Sequence, residues 1–282
     1  MKRNKLHIHW YPGHIAKAER QLKEKLSLVD VVIEVRDARI PVSSGYIDIE
    51  KLLGNKPRLL LLNKSDLVDR EDLTKWTKYL KSNTGCKIIT TDAKNNKDLG
   101  IIVSSAVELA EPKIQALILK GLLRRPARAM VIGMPNVGKS SIINKLTKSS
   151  KTKTGAKAGV TRQQQWVRIN PKLELLDTPG IIPTKQDNQM TAVKLAFVNS
   201  VSENAYSPEP VAQALLEILQ EKYKETIITH YKTEDLTLEG IAVSRNWIVK
   251  SGSPDTERTA NFILKDFREG KIGKFILDEI PD

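Results

Sequence analysis

At 282 residues, 40% of them hydrophobic, the chain is long enough for one large or two ordinary domains with a sizeable core. Its single cysteine, Cys86, excludes an internal disulfide framework. The basic start has no apolar stretch of signal-peptide length behind it, and no run is long enough to span a bilayer, so a cytoplasmic protein is expected. The net charge of +13 is unevenly placed: residues 185–282 hold 12 Lys+Arg against 16 Asp+Glu, leaving 34 against 17 in residues 1–184. A polyanion partner for that first part follows, and with 5% aromatic residues nucleic acid fits better than a lipid surface.

In chain order, His7, His9 and His14 cluster near the start without carboxylate or thiolate neighbours, which favours a loop role over a metal site. Pro12-Gly13 reads as a turn before a helix over 15–26, with Ile15, Ala18, Leu22 and Leu26 on one face. Residues 30–37 read as a buried strand, broken by Ala38-Arg39-Ile40-Pro41. A second strand over 58–62 ends at Asn63-Lys64-Ser65-Asp66. Guanine presents two N–H donors on its pairing edge, and a carboxylate only accepts, so Asp66 suits guanine and opposes adenine. Asn63 can brace neighbouring loops with its amide, and the Lys64 stem can lie on a base face. A third strand, 86–91, leads to Asp92-Ala93, whose backbone N–H groups can meet the guanine carbonyl. Residues 98–123 have helical spacing, with a second helix expected to begin at Pro112. Lys113, Lys120, Arg124, Arg125 and Arg128 add basic surface there.

The apolar run 129–132 enters Gly133-Met134-Pro135-Asn136-Val137-Gly138-Lys139-Ser140, followed by helical spacing through Ile142, Ile143 and Leu146. Strand, glycine loop and helix in this order form a phosphate cradle. Successive backbone N–H groups of Asn136, Val137, Gly138, Lys139, Ser140 and Ser141 point inward, Lys139 adds a full charge, and the Ser140 hydroxyl can ligate magnesium. Residues 148–162 read as a loop in which Thr161 can also reach magnesium. A hairpin over 166–169 and 173–176 ends at Asp177-Thr178-Pro179-Gly180, which suits Asp177 as the magnesium-side carboxylate and the Gly180 N–H as sensor of a terminal phosphate. Ile181 stands where many such switches carry a water-orienting glutamine. From about residue 185 helical spacing dominates: one helix begins at Ser207-Pro208 with Val211, Leu215, Leu219 and Tyr223 on a face, another at Pro254-Asp255 with Ala260, Ile263, Leu264 and Phe267.

The base-reading motif precedes the phosphate loop, the reverse of the familiar order, so the expected fold is α/β: a P-loop GTPase domain with circularly permuted motif order over 1–184, then a small all-helical domain over 185–282. Trp10-Tyr11-Pro12-Gly13-His14, Asp37-Ala38-Arg39-Ile40-Pro41, Asn63-Lys64-Ser65-Asp66, residues 133–140, Asp177-Thr178-Pro179-Gly180 and Asp266-Phe267-Arg268 resemble the permuted GTPases named ribosome biogenesis GTPase A. The resemblance implies a GTP hydrolase that joins late assembly of the large ribosomal subunit, is stimulated by that particle, and uses its helical end on ribosomal RNA; a monomer is expected because no coiled-coil or dimer-face pattern stands in the sequence. It also implies that His14 replaces the missing glutamine and that Asn136 helps hold a potassium ion beside the Mg2+ site. Ile182-Pro183 and Asp92 depart from the family pattern, which has Leu-Trp-Pro and serine there. Two other readings remain: a nucleotide-gated RNA-binding placeholder in which hydrolysis is incidental, and a GTPase acting in translation outside assembly.

Overall fold

The computed structural model describes residues 12–92, 98–151, 166–176, 180–181 and 188–281, with the backbone alone for 12–18, 149–151 and 180–181. Its centre is one sheet in the order β3-β2-β1-β4-β6-β5, with β7 pairing β4. The strands are β1 (Val31–Asp37), β2 (Arg58–Asn63), β3 (Lys87–Thr90), β4 (Ala127–Gly133), β5 (Trp166–Asn170), β6 (Leu173–Leu176) and β7 (Gly180–Ile181). All pairings are parallel except β5 with β6, the expected hairpin. Every residue of β1 and β2 is buried, because helices cover both faces, and this is why those strands read as nearly unbroken apolar runs. The charges inside them are paired: Glu34 accepts from Arg36 Nε at 2.7 Å and from Arg58 Nη1 at 3.0 Å.

One face packs Val32, Met130 and Ile132 against α1 (Pro12–Leu26) and α2 (Ile49–Leu53), and Leu60 and Leu62 against Trp76 and Leu80 of α3 (Arg70–Thr84). The other packs Ile33, Val35, Leu59, Leu61 and Val131 against α4 (Leu99–Leu119) and α5 (Lys139–Lys151). That same apolar cluster continues without interruption into α6 (Gln189–Phe197), α7 (Pro208–Tyr231), α8 (Leu238–Ser244) and α9 (Thr256–Glu269). The expected domain boundary at 184/185 lies outside the described residues.

Two helical expectations are corrected. Helix α1 begins at Pro12, so Pro12-Gly13 forms its first turn, where a proline lacking an N–H costs nothing. Helix α4 runs through Pro112 without a break. Pro112 and Glu108, whose carbonyl loses its helical donor, both lie on the exposed side, while Ala106, Ala110 and Ile114 anchor both halves to the sheet. The faces of α7 and α9 are as expected, with Val211, Leu215, Leu219, Ala260, Ile263, Leu264 and Phe267 buried. Only Tyr223 departs, sitting at a kink in α7 with φ −133° and ψ 28°.

The segment after α9 is a strap that the sequence does not announce. Gly270 caps α9 in the left-handed region at φ 74°, and a Cβ there would press on Leu67 of the β2 turn. Phe275 N then donates to Leu67 O at 3.3 Å and Leu277 N to Arg39 O at 2.8 Å. The Asp278 carboxylate closes the strap, accepting from Val42 N and Ser43 N, each at 2.8 Å, from Ser43 Oγ at 2.6 Å, and from Lys194 Nζ at 3.1 Å.

Candidate functional site

Parallel strands present their carboxyl ends on one edge, the position where open α/β sheets hold ligands. Here that edge carries Asp37, Asn63, Thr90 and Gly133, the last residues of β1, β2, β3 and β4. The residues expected to read the base and those expected to hold phosphate therefore meet, although some seventy positions separate them in the chain.

The decisive contact is a hydrogen bond from Asn63 Nδ2 to Val137 O, 2.7 Å long. It passes over Gly138, whose φ is 103°; a Cβ at this position would collide with the Asn63 amide nitrogen. Met134 and Val137 plant their side chains in the core, fully buried, which fixes the loop from below. Lys139, the first residue of α5, is 7% exposed and donates Nζ to Met134 O at 2.6 Å. Burial pushes its pKa down to about 8, and among the described residues no carboxylate offsets that cost. Ser140 and Ser141 follow it, both exposed, in the first turn of α5.

On the base side, Lys64 sits in the left-handed region at φ 61° and Asp66 occupies a short 3-10 turn over Ser65–Leu67. Ser65 N donates to Thr91 O at 3.2 Å, so the turn and the loop that carries Asp92 are joined. Lys64 Nζ donates to Asp37 Oδ2 at 2.8 Å. Asp37 also accepts from Arg39 Nε at 3.0 Å and Nη2 at 2.9 Å, while Arg39 Nη1 reaches Phe267 O at 3.2 Å and Arg268 O at 3.4 Å. Asp37 is fully buried; desolvation alone would raise its pKa, but Arg39 and Lys64 more than offset this and hold it far below the carboxylate range. The Asp-Ala-Arg motif is thus a joint between the base-side turn and the last turn of α9.

A second joint reaches the phosphate loop. Asn136, at φ 57°, donates Nδ2 to Asn199 O at 2.5 Å, and Ser200 Oγ donates to Pro135 O at 2.7 Å. Sequence reasoning missed Asn199, Ser200 and Asp278, and it gave Arg39 no role; what Arg39 Nη1 and Ser200 Oγ reach across the chain are backbone carbonyls, which carry no residue signature.

Of the remaining expected residues, Gly180 pairs with Ile132 through β7, which sets its backbone beside the phosphate loop. Helix α1, whose first turn contains His14, lies against β7. The His14 side chain, Ala93, Thr161 and Asp177 lie outside the described residues. Among those described, no three His, Cys, Asp or Glu side chains gather into a metal-binding group, and no helix is long and apolar enough to cross a membrane.

A family model described as a 50S ribosome-binding GTPase matches residues 128–233. The ribosome biogenesis GTPase A of Priestia megaterium is 38% identical over 279 residues, covering 96% of this chain and 96% of the relative. The chain belongs to the ribosome biogenesis GTPase A family. Its Thermotoga maritima relative of that name is 32% identical over 97% of this chain and 95% of its own length. The GDP-bound structure of the Thermotoga maritima YlqF superposes with a TM-score of 0.66 at 28% identity, covering 93% of this chain and all of that one. A ribosome biogenesis GTPase A is a GTP hydrolase with a permuted P-loop domain and a helical C-terminal region, and both parts are present here.

Proposed function

We propose that this protein binds GTP along the carboxyl edge of the sheet and hydrolyses it while attached to the precursor of the large ribosomal subunit in the cytoplasm, promoting a late step of its assembly. The observation that supports the nucleotide pose is the Asn63–Val137 hydrogen bond, which makes one rigid unit of the base-side turn and the phosphate loop. The names of its relatives support the ribosomal setting. In this reading Asp66 accepts from the two guanine donors, the Lys64 stem lies on the base, and Asp92 and Ala93 offer backbone N–H groups to the guanine carbonyl. Backbone N–H groups of residues 136–141 and the Lys139 ammonium hold the β- and γ-phosphates. The Gly180 N–H senses the γ-phosphate, and His14 orients the attacking water.

The donors suit hard cations. Ser140, exposed at the start of α5, would hold Mg2+ together with Thr161 and Asp177. The Asn199 carbonyl can only accept, so it takes the Asn136 amide nitrogen and turns Oδ1 the other way, an oxygen suited to K+. When bound, such cations neutralise charge that develops on the β- and γ-phosphates.

Asp66→Asn puts a donor opposite guanine donors and should cut the preference for GTP over ATP by about 10- to 100-fold, or ~1.4–2.8 kcal/mol. Competition binding with the two nucleotides measures it; an unchanged preference contradicts the role of Asp66. Lys139 makes affinity pH-dependent. A phosphate oxygen beside Nζ favours the ammonium, so its pKa in the complex exceeds the value of about 8 in the free protein. Binding then takes up a proton above that pH, and GTP affinity should fall as pH rises through about 8, by at most tenfold per pH unit. Folding has the opposite sign. The folded pKa lies below the unfolded 10.5, so the cost of burying Lys139 is fully present at low pH and is relieved as pH rises from about 8 toward 10.5. Calorimetric titration at several pH values, with Lys139→Arg as the flat control, checks the binding profile.

The test of the whole reading is GTP turnover in potassium buffer with large subunits, small subunits or free ribosomal RNA added. Stimulation by large subunits alone, at least about tenfold, is expected from a site completed by its partner. Equal turnover in all conditions overturns it.

A further inference from the structure

Part of the excess positive charge of the first 184 residues gathers at one place. At the amino-terminal edge of the sheet, opposite the nucleotide edge, a cavity of about 200 Å³ opens between the turn before β4 and the β5–β6 hairpin. Its walls include Arg124, Arg125, Arg168, Pro171 and Lys172, with one carboxylate, Glu111 of α4. Ala127 N donates to Lys172 O at 2.9 Å, which holds the two walls together. Of the four cations, Arg124 is paired with Glu111 at 2.8 Å and Arg125 with Asp30 at 2.6 Å. Arg168 and Lys172 are exposed and form no ion pair among the described residues.

The adjoining surface is also overcharged. Asp30 is fully buried, and Arg125 and Lys113 both pair with it, Lys113 at 2.8 Å. Lys56 Nζ and Lys113 Nζ both donate to Val29 O, at 2.7 and 3.3 Å. Three cations therefore crowd around one carboxylate, and Lys56 responds: burial, then the neighbouring Lys113, lowers its pKa. A fold that needed these groups only for internal pairing would match charges one to one. Local excess of this kind is an attraction for an external polyanion. The helical region offers the contrary sign, with 12 basic residues against 16 acidic over 185–282.

We propose that this groove is a phosphodiester-binding site through which the GTPase half holds ribosomal RNA, an inference that rests on the ribosomal reading above. The guanidinium of Arg168 and the ammonium of Lys172 take successive phosphates, with the ion-paired Arg124 and Arg125 lining the same cavity. Strand β4 runs from this groove at Ala127 to the phosphate loop at Gly133, about 20 Å by strand rise, so both polyanions bind at once without sharing a residue.

The experiment measures binding of the full chain to purified large-subunit ribosomal RNA across about 50–200 mM salt. The Arg168→Glu, Lys172→Glu double variant should bind at least tenfold more weakly and reduce the slope of log K against log salt by about 1–2. GTP affinity and RNA-free turnover should be unchanged. A control with the same charge change at exposed positions of α3, Lys78→Glu with Lys81→Glu, should bind nearly as the unaltered protein does. Full RNA affinity in the groove variant overturns the groove alone, and equal losses in both variants overturn it in favour of net charge. Groove-dependent binding to anionic phospholipid vesicles with none to RNA overturns it in favour of a membrane surface. No salt-dependent RNA binding by the unaltered protein overturns the groove and the ribosomal reading together.

Discussion

Replacing Lys139 with alanine is expected to lower GTP turnover by at least about 10²–10³-fold, the range seen when one preorganised donor to developing charge is removed. The free protein keeps this ammonium dry, 7% exposed, with the Met134 carbonyl as its hydrogen-bond acceptor. That position is costly without an anion, as the pKa pushed down to about 8 records. The cost is what makes the charge effective: no water shell has to be stripped when phosphate arrives. The same reasoning gives the variant a second property. Removing an uncompensated buried charge relieves strain in the nucleotide-free protein, so its melting temperature at neutral pH should be equal to or higher than that of the unaltered chain. Single-turnover hydrolysis and a thermal melt without nucleotide measure the two. Turnover within tenfold of the unaltered protein would exclude Lys139 from the phosphate site.

Arg39→Ala should destabilise the folded chain by about 3–5 kcal/mol, the cost of breaking a buried ion pair from one side. Arg39 is 2% exposed, its two bonds to Asp37 fill one side of that carboxylate, and its third nitrogen serves two carbonyls at the end of α9. Alanine leaves Asp37 buried with Lys64 as its one ion-pair partner among the described residues, removes the side-chain donor to Arg268 O and leaves Phe267 O with Gly270 N alone. Arg39→Lys should recover little, because a point charge cannot serve a carboxylate and two carbonyls with one planar fork. The acid dependence of stability should weaken as well. Asp37 has a depressed folded pKa, so its contribution is present above the unfolded value of 3.8 and is lost as pH falls below it. With Arg39 gone the folded pKa rises and that contribution shrinks at every higher pH. Denaturant midpoints at neutral pH and near pH 4 test this, and a neutral-pH change under about 1 kcal/mol would show that the joint carries no load.

Much of the site was legible because its chemistry is local. A glycine loop between strand and helix and a polar turn after an apolar strand each lie within a dozen residues, and the cap that starts an amphipathic helix is set by its first turn. The bracing role of the Asn63 amide was readable too, since an amide at a strand end has few other uses. Pro112 misled because a local rule met a tertiary one. The rule that proline interrupts helices assumes that the freed carbonyl matters, whereas Glu108 faces solvent and three buried side chains pin α4 on either side.

By itself the sequence determined six of the strands, the nucleotide motifs, their permuted order, the hairpin and the buried faces of α7 and α9. Those are fixed by short-range periodicity and by residue types that suit one chemistry. Only the tertiary structure decided what the helical end is attached to. Arg39 on the end of α9, Ser200 on the phosphate loop, the strap over Leu67 and Arg39, and Asp278 on two backbone N–H groups all join partners at least 63 positions apart. Most of these contacts use a main-chain group on at least one side. Every residue has such groups, so nothing in the string of side chains marks which of them will be used.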